Sequence, residues 1–234
     1  MASSKKSSAS LEHQLVEKIL NGEYPVDSYL PGERNLAEAL GATRPTLREA
    51  LQRLASEGWV EIQHGKATRV KNYFLEGNLS ALGTLARHRQ HLPKDFIMNL
   101  LEVRETIAPV YAKLAVQNLN IDLISYLLYA SNIPDEADEF VNTDWELHNL
   151  LSRQSGNPIY TMILNGFEEI YLTLGSRYFL FEEGRSASRK FYLELLYAAD
   201  NQNPEIAEIV TKNAMTESIE LWQTLIGRTM IDGK

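Results

Sequence analysis

Cysteine is absent from all 234 residues, which excludes disulfides, thiolate metal ligands and a cysteine nucleophile, and suits a reducing, cytoplasmic setting. Long apolar runs are also missing: none approaches the roughly 18 residues of a membrane span. The opening MASSKKSSAS lacks the apolar stretch of a signal peptide and reads as a disordered polar tail over residues 1–9. No Gly-rich phosphate loop, G-x-S-x-G elbow or recognisable Ser–His–Asp grouping occurs. Adjacent carboxylates such as Glu168-Glu169 and Glu182-Glu183 diverge on a helix, so no enzymatic function is expected. Excess positive charge is lacking as well. The 23 Lys and Arg face 31 Asp and Glu, a net charge of −8 that at first argues against nucleic acid. What is present, 44% hydrophobic and 23% charged residues, is ordinary for a globular protein of one large or two smaller domains.

The total conceals an asymmetry. Residues 1–72 hold ten basic against nine acidic residues, the remainder 13 against 22, and residues 44–71 alone six against three. The last stretch permits a small basic surface, or merely a solvated face with local ion pairs.

Apolar spacing says more. Leu11, Leu15, Ile19 and Leu20 recur at helical intervals, ending near Asn21-Gly22. Tyr24-Pro25 and Leu30-Pro31-Gly32 punctuate a segment too broken for regular structure. A short helix is predicted from Glu33 to Leu40, closed by Gly41. Thr43 then caps a second helix, with Pro45 in its first turn, a stripe of Leu47, Leu51 and Leu54, and an end at Gly58. Two short helices three residues apart, the second opening on Thr and Arg, describe a helix-turn-helix. Two β-prone runs around His64-Gly65-Lys66 add a hairpin, the wing of a winged helix. The alternative at this level is a helical hairpin with a β cap that binds nothing.

The residues themselves carry a resemblance. Leu30-Pro31-Gly32-Glu33-Arg34, followed by Thr43-Arg44-Pro45-Thr46-Leu47-Arg48-Glu49-Ala50-Leu51 and Leu54, resembles the GntR family of bacterial transcription regulators. The continuation GWVEIQHGKATRV is similar to its members that govern fatty acid metabolism. The resemblance implies contacts to a palindromic double-stranded DNA operator from Arg34, Thr43, Arg44, Thr46, Arg48, His64, Gly65 and Lys66, made by a homodimer. Pro45 departs from the Thr that those fatty-acid-metabolism members have there and removes a hydroxyl and an N–H.

Residues 78–227 are helically periodic, with breaks at His91–Pro93, Asn118–Asp122, Ile133-Pro134, Gly156–Pro158, Glu183-Gly184 and Asn201–Pro204. The expected fold class is therefore mainly α: a winged helix-turn-helix over 10–72, a linker at 73–78, and an all-α ligand-binding and dimerisation bundle of about seven helices over 79–228. Nine of the 21 aromatics fall between Tyr160 and Tyr197, either as core packing or as the wall of a cavity.

NLLEVRETI, SGNPIYTMILNG, IYLTLGSRYF and TESIELW resemble the effector domain of the same branch. The implied effector is a long-chain fatty acyl-CoA that releases the protein from its operator, with Arg104, Tyr171, Tyr178, Glu217, Ser218 and Trp222 as ligand or relay residues. Met215 and Ile219 stand where those relatives have glycines. A regulator of similar design sensing another metabolite, such as a small carboxylate with or without a metal, is the alternative. Asp144 and His148, four apart, could form half a divalent-metal site. Relatives that bind metal supply two later histidines, whereas Tyr192 and Thr216 hold the matching positions here and no His follows residue 148. No metal is therefore expected, and a hydrogen bond on the helix surface is the expected role of the pair. His88 and His91 read as solvated polar residues.

Overall fold

The computed structural model describes residues 7–93, 95–118 and 121–232. It forms two compact units that meet in sequence between Leu92 and Pro93. The first contains α1 (Ser8–Leu20), α2 (Glu33–Leu40), α3 (Arg44–Glu57), β1 (Val60–Glu61), β2 (Arg69–Val70), α4 (Tyr73–Glu76), α5 (Ser80–Arg87) and a 3-10 turn at Arg89–His91.

Helix α1 begins earlier than the expected tail allows. Ser7 accepts a hydrogen bond from the Ser10 N–H at 3.2 Å and caps the helix, so residues 7–9 are structured, while residues 1–6 lie outside the described residues. Leu11, Leu15, Val16 and Ile19 turn inward, and α1 packs on α3. On α3, Leu47, Ala50, Leu51 and Leu54 are buried at i, i+3, i+4 and i+7, as the sequence periodicity requires. Gly41 ends α2 at φ +64°, a left-handed conformation that frees the chain to turn at once into the Thr43 cap.

The wing ribbon pairs Val60 with Val70 and Glu61 with Arg69 in antiparallel register, shorter than the two β-prone runs. Its outer edge is not bare. Asp27 N–H donates to Val70 O, Val70 N–H to Ser28 O and Leu30 N–H to Thr68 O, all at 2.8–2.9 Å. The segment judged too irregular for structure thus covers the edge of β2.

Residues 73–78 are not a free connector. Tyr73–Glu76 forms a helical turn, the Tyr73 ring stacks on buried Trp59 at 4.5 Å, and Glu76 accepts from Arg69 at 2.9 Å. Helix α5 belongs to the same unit. Its Thr84 hydroxyl donates to Glu57 at 2.7 Å, and the same Glu57 oxygen accepts from Trp59 Nε1 at 3.1 Å. His88, expected to be solvated, is 1% exposed, stacks on His13 and bonds the carbonyls of Thr84 and His13. Each ring nitrogen faces a backbone carbonyl, and a neutral imidazole donates to one of the two at a time.

The second unit is a bundle of six helices among the described residues: α6 (Phe96–Gln117), α7 (Ile121–Ala130), α8 (Ala137–Gln154), α9 (Pro158–Tyr178), α10 (Glu182–Asp200) and α11 (Pro204–Asp232). Helix α6 packs on α8 and α11, α10 on α7 and α11, and α8 on α9. One expected break is misplaced: Glu183-Gly184 lies inside α10, and the chain turns at Phe179–Phe181 instead. Gly184 serves close approach here, because a Cβ at that position would meet Tyr178 O at 2.8 Å.

A fragment ending at Leu92 should unfold in urea as one cooperative transition, with a higher midpoint than a fragment ending at Asn72. Equal midpoints would detach residues 73–92 from the amino-terminal core.

Candidate DNA-reading surface and effector cavity

Helix α3 opens on Thr43, whose hydroxyl lies 2.7 Å from that of Thr46 and accepts the Thr46 N–H at 3.4 Å. Pro45 occupies the first turn, where a missing N–H breaks no intrahelical bond. Arg44 and Arg48, one turn apart, both face Glu33 at the start of α2: Arg48 Nε donates to Glu33 Oε2 at 2.7 Å, and Arg44 Nη2 lies 3.9 Å from the same oxygen. A groove between this helix pair and the wing is lined by Glu33, Arg48 and residues 62–68, including His64, Gly65 and Lys66. Gly65 sits at φ +70° in a tip closed by Lys66 N–H to Gln63 O at 3.3 Å. Arg34, Thr43, Arg44, Arg48, His64, Gly65 and Lys66 are exposed, and Thr46 is half-buried.

The other cations of residues 44–71 do internal duty. Arg53 pairs with Glu49 and Glu12, Arg69 with Asp27, Glu61 and Glu76, and Lys71 with Glu76. The basic surface available to a phosphate backbone is therefore smaller than the sequence balance indicates.

In the second unit a charged cluster sits inside the helices. Asp144 is 2% exposed and His148 fully buried, so the expected surface hydrogen bond between them is corrected: their closest atoms are 3.8 Å apart. Arg104 of α6 reaches in, and its Nη2 donates to Asp144 Oδ2 at 3.0 Å and to His148 Nε2 at 2.7 Å. Tyr171 donates to the same Asp144 oxygen, and Tyr192 to Oδ1 at 2.9 Å. Since a guanidinium only donates, His148 Nε2 accepts. Its proton is then on Nδ1, directed at the Tyr111 hydroxyl 2.7 Å away. Burial, reinforced by the Arg104 cation, holds the His148 pKa down to about 3, so the ring is neutral. Burial opposes the charge on Asp144, but the Arg104 guanidinium and the two phenol donors outweigh it and keep its pKa below the ordinary carboxylate value. Burial, with Asp144 adding to it, pushes the phenols of Tyr171 and Tyr192 up, so both remain donors.

These residues do not fit a divalent ion. The oxygen and nitrogen that would bind it already face Arg104 Nη2, Tyr192 bonds Asp144, and Thr216 donates to Glu105 at 2.6 Å. Among the described residues no three His, Asp or Glu side chains come together as a ligand set.

Beside the cluster lies an apolar cavity of about 110 Å³, walled by residues such as Ile97, Leu101, Phe167, Leu174 and Phe191. Arg104, Asp144, Tyr111, Tyr171, Tyr178, Ser218 and Trp222 also line it. Of the sequence candidates, Glu217 stays outside, paired with Lys190 at 3.4 Å, while Met215 is in the wall and Ile219 is not. Both readings of the aromatic cluster apply: Phe167, Tyr171, Tyr178, Phe179 and Phe191 face the cavity, Tyr192 is core, and Tyr197 is 62% exposed. Tyr111 and the central place of Asp144 were missed from sequence. Spacing puts Arg104 and Tyr111 on one helix face and Asp144 and His148 on another, but it does not say that those faces are turned inward.

His148 generates a pH prediction. Its folded pKa lies below the ordinary 6.5, so the unfolded chain binds the extra proton. Stability should fall as pH drops from 6.5 towards 3, by up to about 1.4 kcal/mol per unit. Urea unfolding of the wild type and His148→Gln between pH 7 and 4.5 measures this, and the variant should lose most of the slope.

Comparison with known proteins agrees with this architecture. The model of the bacterial regulatory proteins of the gntR family matches residues 7–70, and that of the FadR C-terminal domain matches residues 71–231. The fatty acid metabolism regulator protein of Serratia proteamaculans is 38% identical over 216 residues, covering 92% of this chain and 90% of the relative. The protein of the same name from Escherichia coli O1:K1 is 38% identical over 215 residues, with the same coverages. A solved structure of Lar, which controls expression of the Listeria monocytogenes agr system, shares the fold at 19% identity with a TM-score of 0.63, covering 94% of this chain and 98% of that one. The chain belongs to the GntR family of bacterial regulatory proteins, in the group of fatty acid metabolism regulators whose C-terminal domain is of the FadR type.

Proposed function

We propose that the protein is a homodimeric, cytoplasmic transcription regulator of fatty acid metabolism that binds a palindromic operator and is released from it by a long-chain fatty acyl-CoA. The winged helix reads DNA through Arg34, Thr43, Arg44, Thr46, Arg48, His64, Gly65 and Lys66. The effector is held by Arg104, Tyr171, Tyr178, Ser218 and Trp222, while Glu217 pairs with Lys190 outside the cavity wall. A monomer with so few free cations has little bulk attraction for phosphates, so two half-sites are needed for tight binding.

The observation that carries this reading is the chemistry of the cavity: an apolar wall with unused hydrogen-bond donors and no unpaired cation. Trp222 Nε1 is buried without a partner. The hydrogen bonds of Arg104 to described residues all run through Nη2, leaving Nε and Nη1 to other acceptors. Asp144 already balances the guanidinium. A neutral thioester carbonyl can accept these donors without adding charge, whereas a free carboxylate would place a second anion in a low-dielectric site. For tenfold looser operator binding, the ligand must favour the DNA-incompetent state by about 1.4 kcal/mol.

A gel shift on a genomic fragment that the protein retains, titrated with oleoyl-CoA, oleate and a dicarboxylate, tests the proposal. Release by oleoyl-CoA is expected, and release by the dicarboxylate alone would overturn it. Arg44→Ala and Arg48→Ala should each weaken operator binding by about 1–3 kcal/mol, measured by the same assay. Undiminished binding by both would remove α3 as the reading helix.

A further inference from the structure

We propose that Glu33 sets the DNA selectivity of the winged helix by holding Arg48 end-on and withholding part of its charge, and that of Arg44, from the phosphate backbone. The inference rests on the reading of Arg44 and Arg48 as base-contacting residues. Glu33 is the first residue of α2, where the helix dipole favours a carboxylate. One of its oxygens, Oε2, meets both arginines, at 2.7 Å from Arg48 Nε and 3.9 Å from Arg44 Nη2. Arg44 and Arg48 are neighbours on one face of α3, and this single carboxylate relieves the repulsion between their guanidinium groups.

Direction matters as much as charge. With Nε of Arg48 engaged, the end-on pair Nη1 and Nη2 is the fork left to reach O6 and N7 of a guanine. The same carboxylate lines the groove that His64, Gly65 and Lys66 line from the wing, so any nucleic acid entering there meets it. An acceptor at that position repels phosphate oxygens and disfavours backbone-only seating. The arginine side chains are 58% exposed and that of Glu33 is 32% exposed, so the pairs add little to folding stability. Their effect falls on what DNA is bound.

The test compares wild type, Glu33→Gln, Arg48→Ala and the double variant, measuring affinity for a retained genomic duplex and a scrambled duplex over a salt series. Glu33→Gln should bind the scrambled duplex about threefold to tenfold tighter, with a salt slope steeper by up to about one. Its preference for the retained duplex should fall about tenfold, and the melting temperature should not move. Arg48→Ala should remove most of that difference in the double variant. A Glu33→Gln protein with unchanged preference overturns the inference. If Arg48→Ala nevertheless weakens binding, the reading helix stands and only the role of Glu33 fails. If Arg48→Ala also binds and discriminates as wild type does, both fail.

Discussion

A charged side chain inside a helical bundle loses its hydration, and the loss is recovered only when a counter-charge and directed hydrogen bonds surround it. Asp144 and Arg104 meet that condition together, and the bundle is organised around the requirement. The carboxylate receives hydrogen bonds from Arg104 on α6, Tyr171 on α9 and Tyr192 on α10, while itself projecting from α8. Apolar packing alone would tolerate small rotations of these helices. Three side chains converging on one carboxylate, with His148 fixed as a neutral acceptor, do not. Truncating Arg104 would leave the Asp144 carboxylate buried and uncompensated, a loss of about 3–5 kcal/mol in comparable settings. The same guanidinium fills the place between Asp144 and His148 that a divalent ion would take, so the cation of this domain is encoded in the chain itself.

The amino-terminal unit economises on charge in the opposite way. Its cations are numerous for its size, but Arg53, Arg69 and Lys71 hold helices, strands and the segment at 73–76 together. What stays exposed at the start of α3 and at the wing tip is a small set of cations, Arg44, Arg48 and Lys66, with Glu33 beside the two arginines. Such a surface derives little from general attraction and depends on placement.

Helix positions were largely legible, because apolar residues at 3.6-residue intervals and the caps at Thr43, Gly41 and Gly58 act locally. The helix-turn-helix boundaries agree with the structure to within a residue. Long-range features were less accessible. The strand-like pairing of residues 27–30 depends on β2, some forty residues away, and nothing in Tyr24–Gly32 announces it. Gly184 looks like a helix breaker in sequence, and only the approach of Tyr178 explains it. Residues 73–92 have the composition of a connector and an amphipathic helix, and their partner is decided by Trp59, Glu57 and His13. In the candidate site, aromatic crowding pointed to a cavity, but burial of Asp144 and His148 could not be read from their spacing.

The docking of α4 and α5 removes slack from the chain that leaves the winged helix. A coil between two domains acts as a slack tether, and thermal motion averages away displacements of an ångström or two along it. Here the chain after the winged helix is packed, not slack: α5 runs to Arg87, a 3-10 turn follows at Arg89–His91, and Thr84 ties α5 to Glu57 at the carboxyl end of α3. Residues 73–91 therefore belong to the body that carries α3 and do not act as a tether to it.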